Sequence, residues 1–319
     1  MKKRERVFAA VRREAVDHVP TGFSLHFPEE CKTGEKAVEA HLQFFKETDT
    51  DIIKIMNENL VPDVGDILRP EDWDKIPSYS LKDRFMQSQL DMVKRILEKA
   101  DKDAFSLGTL HGICASAIHP IEARYGYTRV REMFCEHLRE NKGPLLEAWK
   151  RITEGMCLLV TAYKELGLDG IYYAGLGAEK RYFTDEEFAE CIVPFDKEIL
   201  KTAKDAGCVN FLHMCKDGLE MERYASYADL ADVVNWGVYE TDFSLEDGRK
   251  LFPGKTIMGG LQNREGVIVD GTLQELREAS KAVIQGFGKE GFILGADCTL
   301  PTEISYGRIR AIAEAAREI

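Results

Sequence analysis

Short apolar runs, each followed by an amphipathic stretch of helical period, recur about eight times along this chain, and this alternation constrains the fold more than any other feature. The runs are 19–27, 51–58, 104–112, 170–177, 209–215, 231–236, 256–262 and 291–298. Amphipathic stretches such as 184–206, 273–287 and 305–319 lie between and after them, several opening on a capping signal: Thr184 precedes Glu187 by three residues, and Thr272 precedes Glu275. Alternation of this kind builds parallel strands with helical crossovers. Eight repeats predict an α/β protein, a closed (β/α)8 TIM barrel rather than an open sheet.

Two departures from the bare repeat are expected. The first 13 residues read as an extra N-terminal helix with Val7, Ala10 and Val11 turned inward. Helical insertions or long loops follow strands 2 and 3: residues 59–80, with Pro62, Pro70, Trp73 and Pro77, read as a loop or lid, and 113–169 holds extra helices, including one over 140–166. Both inserts follow strands, on the face where barrel active sites are built. With no linker or low-complexity tract in view, the chain reads as a single TIM-barrel domain over 1–319.

Composition narrows the function. A formal charge of -12 opposes a nucleic-acid surface, which needs clustered cations to neutralise phosphates. No stretch approaches the roughly 20 uninterrupted apolar residues that cross a bilayer, and the basic start lacks the apolar core of a signal peptide. A cytoplasmic protein without membrane attachment is expected. The eight cysteines are scattered and read as reduced thiols. Cys114, Cys135, Cys157, Cys191 and Cys208 each stand where a small buried hydrophobe would serve.

The other cysteines that stand out are different. In the fifth strand, alternation puts His213 and Cys215 on the inner face with Phe211, and Leu212 and Met214 on the helix side. In the eighth, Leu294, Ala296 and Cys298 share a face that ends at the strand's C-terminus. Singly, each of the three reads as well as a packing residue. Jointly, one imidazole and two thiols at the tops of two strands form a borderline-soft set suited to zinc, with a fourth position left open as catalytic zinc requires. Other polar residues at predicted strand ends, His26, Asn57, Glu58, His111, Tyr173 and Gln262, are candidates to line a substrate pocket. The run Gly175-Leu-Gly177-Ala178 lacks the later glycine of a dinucleotide fingerprint.

On these residues the chain resembles the uroporphyrinogen decarboxylase superfamily, and within it the zinc-containing, corrinoid-dependent methyltransferases. The carriers are Arg4-Glu-Arg-Val7 with Asp17-His-Val-Pro20, then Gly170-Ile-Tyr-Tyr-Ala174 followed by Phe188 and Pro194, then His213-Met-Cys215, and Gly295-Ala-Asp-Cys298-Thr-Leu-Pro301. The resemblance implies a (β/α)8 barrel whose His213, Cys215 and Cys298 bind Zn2+. It further implies methyl transfer between a corrinoid such as methylcobalamin and a small-molecule thiol or another methyl donor or acceptor. The Asp-x-His-x-x-Gly run found in many cobalamin domains is absent, so a corrinoid would arrive on a partner corrinoid protein. The decarboxylases carry paired arginines after the first strand, where this chain has Ser24-Leu-His-Phe-Pro-Glu-Glu30. The alternative, a decarboxylase-like lyase acting on a carboxylated substrate without metal, would draw on Tyr173, His111 and Asp242 and needs a cationic anchor that the sequence does not locate.

Overall fold

A computed structural model describes all 319 residues, Met1–Ile319. Seven strands form one all-parallel sheet in chain order: β1 (Ile52–Ile55), β2 (Phe105–His111), β3 (Gly170–Gly175), β4 (Val209–Met214), β5 (Val233–Trp236), β6 (Thr256–Leu261) and β7 (Phe292–Ala296). Each lies inside a predicted run, and the curled sheet with its surrounding helices is a (β/α)8 architecture. The first predicted run, 19–27, is the exception, because it forms no regular strand. It still fills the eighth place between β7 and β1. Leu294 N donates to Pro20 O at 2.9 Å, Gly22 N to Leu294 O at 3.1 Å, and Ile52 N to Thr21 O at 3.3 Å. Pro20 has no N–H to give to a ladder, and the Thr21 N–H goes to the Asp51 carboxylate at 2.8 Å, so pairing shrinks to isolated bridges.

The helices follow the sequence signals closely. The N-terminal helix α1 spans Lys3–Val11, with α2 (Gly34–Thr48) before β1 and α3 (Arg84–Lys99) before β2. The insert after β2 contains α4 (Ile113–Tyr125) and α5 (Tyr127–Glu165), the latter broken at Asn141 (φ -157, ψ 93), three residues before Pro144. That break sits at the start expected for the 140–166 helix. A short α6 (Asp185–Glu187) runs through a π turn, Phe188–Ile192, into α7 (Val193–Asp205); α8 (Leu245–Leu251), α9 (Leu273–Phe287) and α10 (Tyr306–Arg317) complete the ring. Thr184 and Thr272 each accept a bond from the N–H three residues on while that residue's carboxylate accepts one from the threonine N–H, the expected capping boxes. The 59–80 segment, expected as a loop or lid, is pinned to α5. Buried Trp73 donates to His137 Nδ1 at 2.9 Å, and Arg151 bonds the carbonyls of Ile76 and Trp73.

Strand alternation divides the core into two. Ile52, Phe105, Leu107, Tyr172, Phe211, Val233, Met258 and Ile293 fill the barrel, and α1 closes its lower end with Val7 and Ala10, Val11 being only partly buried. The other face packs against the helices. Buried Arg6 on α1 is paired with Asp51 at 2.5 Å and Asp17 at 2.6 Å, which compensates the charges taken from water at that end. The upper end, by contrast, is lined with polar groups.

Candidate functional site

His213 is the inward residue two places after Phe211 on β4, and Cys215 follows one residue past the strand's end. Cys298 arrives by another route. Ile293 faces the barrel while Leu294 and Ala296 pack with the helices, so the shared face expected for Leu294, Ala296 and Cys298 is the outer one. Because β7 ends at Ala296, the bend at 297–298 frees Cys298 from that alternation and turns its sulfur inward. The structure therefore brings the three residues together despite the wrong phase. Their ligand atoms all lie within 4.8 Å of one another, and the two sulfurs are 4.0 Å apart.

The imidazole of His213 is held in one tautomer. Its Nδ1 lies 2.6 Å from Asn235 Oδ1, and that amide cannot present its nitrogen instead, since Nδ2 already donates to Met258 O (3.0 Å) and Ala296 O (3.2 Å). The Tyr172 hydroxyl donates to the same oxygen at 2.7 Å, and its ring stacks on the imidazole at 5.3 Å. Nδ1 must therefore carry the proton, which leaves an acceptor lone pair on Nε2. That atom is buried and has no partner. An unmet buried acceptor costs about 1–3 kcal/mol, so one standing beside two sulfurs is the observation that fits a bound metal. One imidazole and two thiols whose ligand atoms lie this close are a donor set that suits zinc, and as three ligands they are one short of the usual four.

The two thiols share a proton unequally. The hydrogen bond between them holds Cys298 well below the ordinary thiol range and Cys215 well above it, burial opposing the first shift and adding to the second, while Lys54 favours the Cys298 thiolate. Lys54 was not singled out from the sequence. It points into the barrel from β1, its ammonium 3.0 Å from Ser24 Oγ and 3.6 Å from the centre of the Tyr172 ring. Burial pushes it down to about 8, against the attraction of Cys298, Cys215 and Glu58. Asn235 was missed as well. Both were legible in principle as polar residues inside apolar strands, in Ile52-Ile-Lys-Ile55 and Val233-Val-Asn-Trp236.

A cavity of about 750 Å3 opens above the triad, and three of the six polar candidates line it: His26, Glu58 and His111. His26 Nδ1 meets Glu58 Oε1 at 2.5 Å; burial raises the Glu58 carboxyl, but this contact outweighs it and the net shift is downward. Burial pushes His111 down to about 3, helped by His119, whose ring lies 4.7 Å away and is itself held at about 4 by burial. The other three candidates lie elsewhere. Asn57 is buried and accepts from Asn59 N, and Gln262 reaches only toward Glu265 while its neighbours Asn263 and Arg264 line the cavity. Tyr173 is on the outer face of β3, donating to Asp196, which Tyr227 also contacts; the inward tyrosine is Tyr172. Asp242 lines a separate surface groove. The cations the sequence did not locate are on the cavity wall as Lys32, Lys54, Lys216 and Arg264, set against Glu58, Glu122, Asp217 and Glu240. No helix is long and apolar enough to cross a membrane, and all eight cysteines are free.

Residues 55–319 match the sequence profile of the uroporphyrinogen decarboxylase (URO-D) family. Among solved structures, a methyltransferase from Methanosarcina mazei superimposes with a TM-score of 0.79 at 17% identity, over 100% of this chain and 99% of that chain. A B12-independent methionine synthase from Shewanella sp. W3-18-1 gives a TM-score of 0.59 at 11% identity, over 94% of this chain and 97% of that chain. Identities this low speak to the fold alone. No curated protein sequence matches the chain.

Proposed function

Since the chain belongs to the uroporphyrinogen decarboxylase family, we propose that it is a zinc-dependent methyltransferase that moves a methyl group between a corrinoid carried by a partner protein and a small-molecule thiol or other methyl donor or acceptor. The observation that carries this reading is the partnerless His213 Nε2 beside the Cys215 and Cys298 sulfurs, at the floor of a cavity of about 750 Å3. One structural relative bears the name of a methyltransferase, which agrees with methyl transfer; the other is named a B12-independent methionine synthase and lends nothing to the corrinoid part of the reading.

Zinc held by His213, Cys215 and Cys298 would supply a Lewis-acidic centre that keeps a substrate thiol in its nucleophilic thiolate form at neutral pH. The remaining work falls to the chain's own side chains. Asn235 and Tyr172 fix the His213 ring so that Nε2 is aimed at the sulfurs, and a carbonyl-type partner on the far nitrogen also raises ligand basicity. Cys298 is predisposed to its thiolate by the Cys215 hydrogen bond and by Lys54. On the cavity wall, His111 and His119 are held neutral, and the Glu58 carboxylate, steadied by His26, offers an anionic contact for orienting a small polar substrate.

One observation favours a second reading. Lys32, Lys54, Lys216 and Arg264 on the cavity wall are anchors that a carboxylated substrate would need, so a metal-independent lyase keeps a structural basis. Its weakness is that it gives His213 Nε2 and the paired thiols no task. The test is to incubate the protein with methylcobalamin and a panel of thiols and folates while following the cobalt spectrum, with and without chelator. Demethylation of the corrinoid that a chelator abolishes supports the proposal. Turnover of uroporphyrinogen in chelator, with an unchanging corrinoid spectrum, overturns it.

A further inference from the structure

Lys54 carries a positive charge inside the barrel, yet its two direct partners, Ser24 Oγ and the Tyr172 ring, are both uncharged. A lysine in such a place is costly unless an anion offsets it. The titratable groups that face it are the sulfurs of Cys298 and Cys215, the Glu58 carboxylate, which is already engaged by His26, and the neutral His111. Of these, Cys298 alone joins Lys54, Ser24 and Tyr172 in lining a small void of about 10 Å3 inside the barrel. Lys54 is also tied mechanically to the ligand set. The ring it covers stacks on His213 and shares the Asn235 oxygen with it.

The consequence concerns the fourth coordination position, and it rests on the zinc reading above. Two cysteine thiolates neutralise a divalent ion, so a neutral fourth ligand leaves the centre uncharged while a thiolate leaves one negative charge over. We propose that Lys54 is a positioning residue whose fixed cation makes the open position select an anionic sulfur ligand, a thiolate, over a neutral thioether or water. A barrel without it would bind the two sulfur classes with less distinction.

The test compares the wild type with Lys54→Met and Lys54→Arg after loading with cobalt(II), whose sulfur-to-metal absorption reports an added sulfur ligand. Metal content, melting temperature, and the affinity and pH midpoint of binding are measured for a thiol and for its S-methyl thioether. With metal content and melting temperature unchanged, Lys54→Met is expected to weaken thiol binding roughly tenfold or more and to raise its pH midpoint by about one unit, with thioether binding unaffected. Lys54→Arg should retain most of the thiol affinity, since it keeps the charge. Thiol affinity and pH midpoint in Lys54→Met equal to wild type overturn the proposal while leaving the metal reading intact; a wild type that takes up neither cobalt nor zinc overturns both. Where Lys54→Met does not fold, Lys54→Gln, which preserves a donor to Ser24, is held to the same criteria.

Discussion

At the scale of single residues, the arrangement turns on a side chain that carries no metal-binding atom of its own in the triad. Asn235 accepts from both His213 Nδ1 and the Tyr172 hydroxyl while anchoring its own amide to two carbonyls, so the imidazole has neither a choice of tautomer nor freedom to rotate. Replacing it by alanine should leave all three ligands present but loosely held. Asn235→Ala is expected to lower zinc affinity by about 10- to 100-fold, read by competition with a chromophoric chelator. An affinity equal to wild type would mean that packing alone orients His213. The ligand residue types were legible because a histidine and two cysteines at strand tops are chemically conspicuous. Asn235 and Lys54 stand out only as single polar residues in apolar strands, a signal without a role, and the sheet register, which sets His213 beside Asn235, gives it meaning. Tyr173 shows the opposite hazard: with two adjacent tyrosines on β3, a shift of one residue exchanges the cavity for the helix side.

At the scale of elements, helix boundaries came through the sequence best, because the capping boxes at Thr184 and Thr272 are local chemistry. The first predicted strand failed for an equally local reason, the missing N–H of Pro20, although its place in the barrel was right. The turn that delivers Cys298 was beyond alternation arguments, since periodicity says nothing once a strand has ended. Tertiary approach was invisible too. α8 lies so close to β5 that a Cβ on Gly248 would stand 2.0 Å from the Trp236 ring, on the strand that carries Asn235. Gly248→Ala should therefore destabilise the fold, although alanine is the better helix former, by about 1–3 kcal/mol as an overpacked contact. Urea unfolding checks this; a midpoint at or above wild type would show that Trp236 moves aside without cost.

At the scale of the whole molecule, the barrel has a closed end and a working end. α1 plugs the lower opening with apolar groups and the Arg6–Asp51 pair, while the upper opening gathers the thiols, four cations and four histidines. This division was foreseeable from barrel geometry, though the contents of the cavity wall were not. It also predicts how stability depends on pH. Burial holds His41 at about 4, His111 at about 3 and His119 at about 4, so the unfolded chain takes up protons near pH 6.5 that the folded chain refuses. Their stabilising contribution is complete above about 6.5 and is lost as pH falls toward 4. Asp196, raised to about 6, Asp297, raised to about 7, and Glu240, also raised, all by burial, work in the reverse direction over part of that window, against five histidines, since burial lowers His18 and His137 too. The urea midpoint is expected to fall between pH 7.5 and pH 4.5, and a flat or rising profile would contradict this assignment.

The proposed chemistry requires one nitrogen and two sulfurs, from β4, the residue just after it and the turn after β7, to hold a single zinc ion. Elemental analysis of protein purified without added metal tests it most directly, with wild type set beside the Cys215→Ser/Cys298→Ser double variant. About one zinc per wild-type chain is expected, and little in the variant. Equal zinc in the two, or none in either, would contradict it.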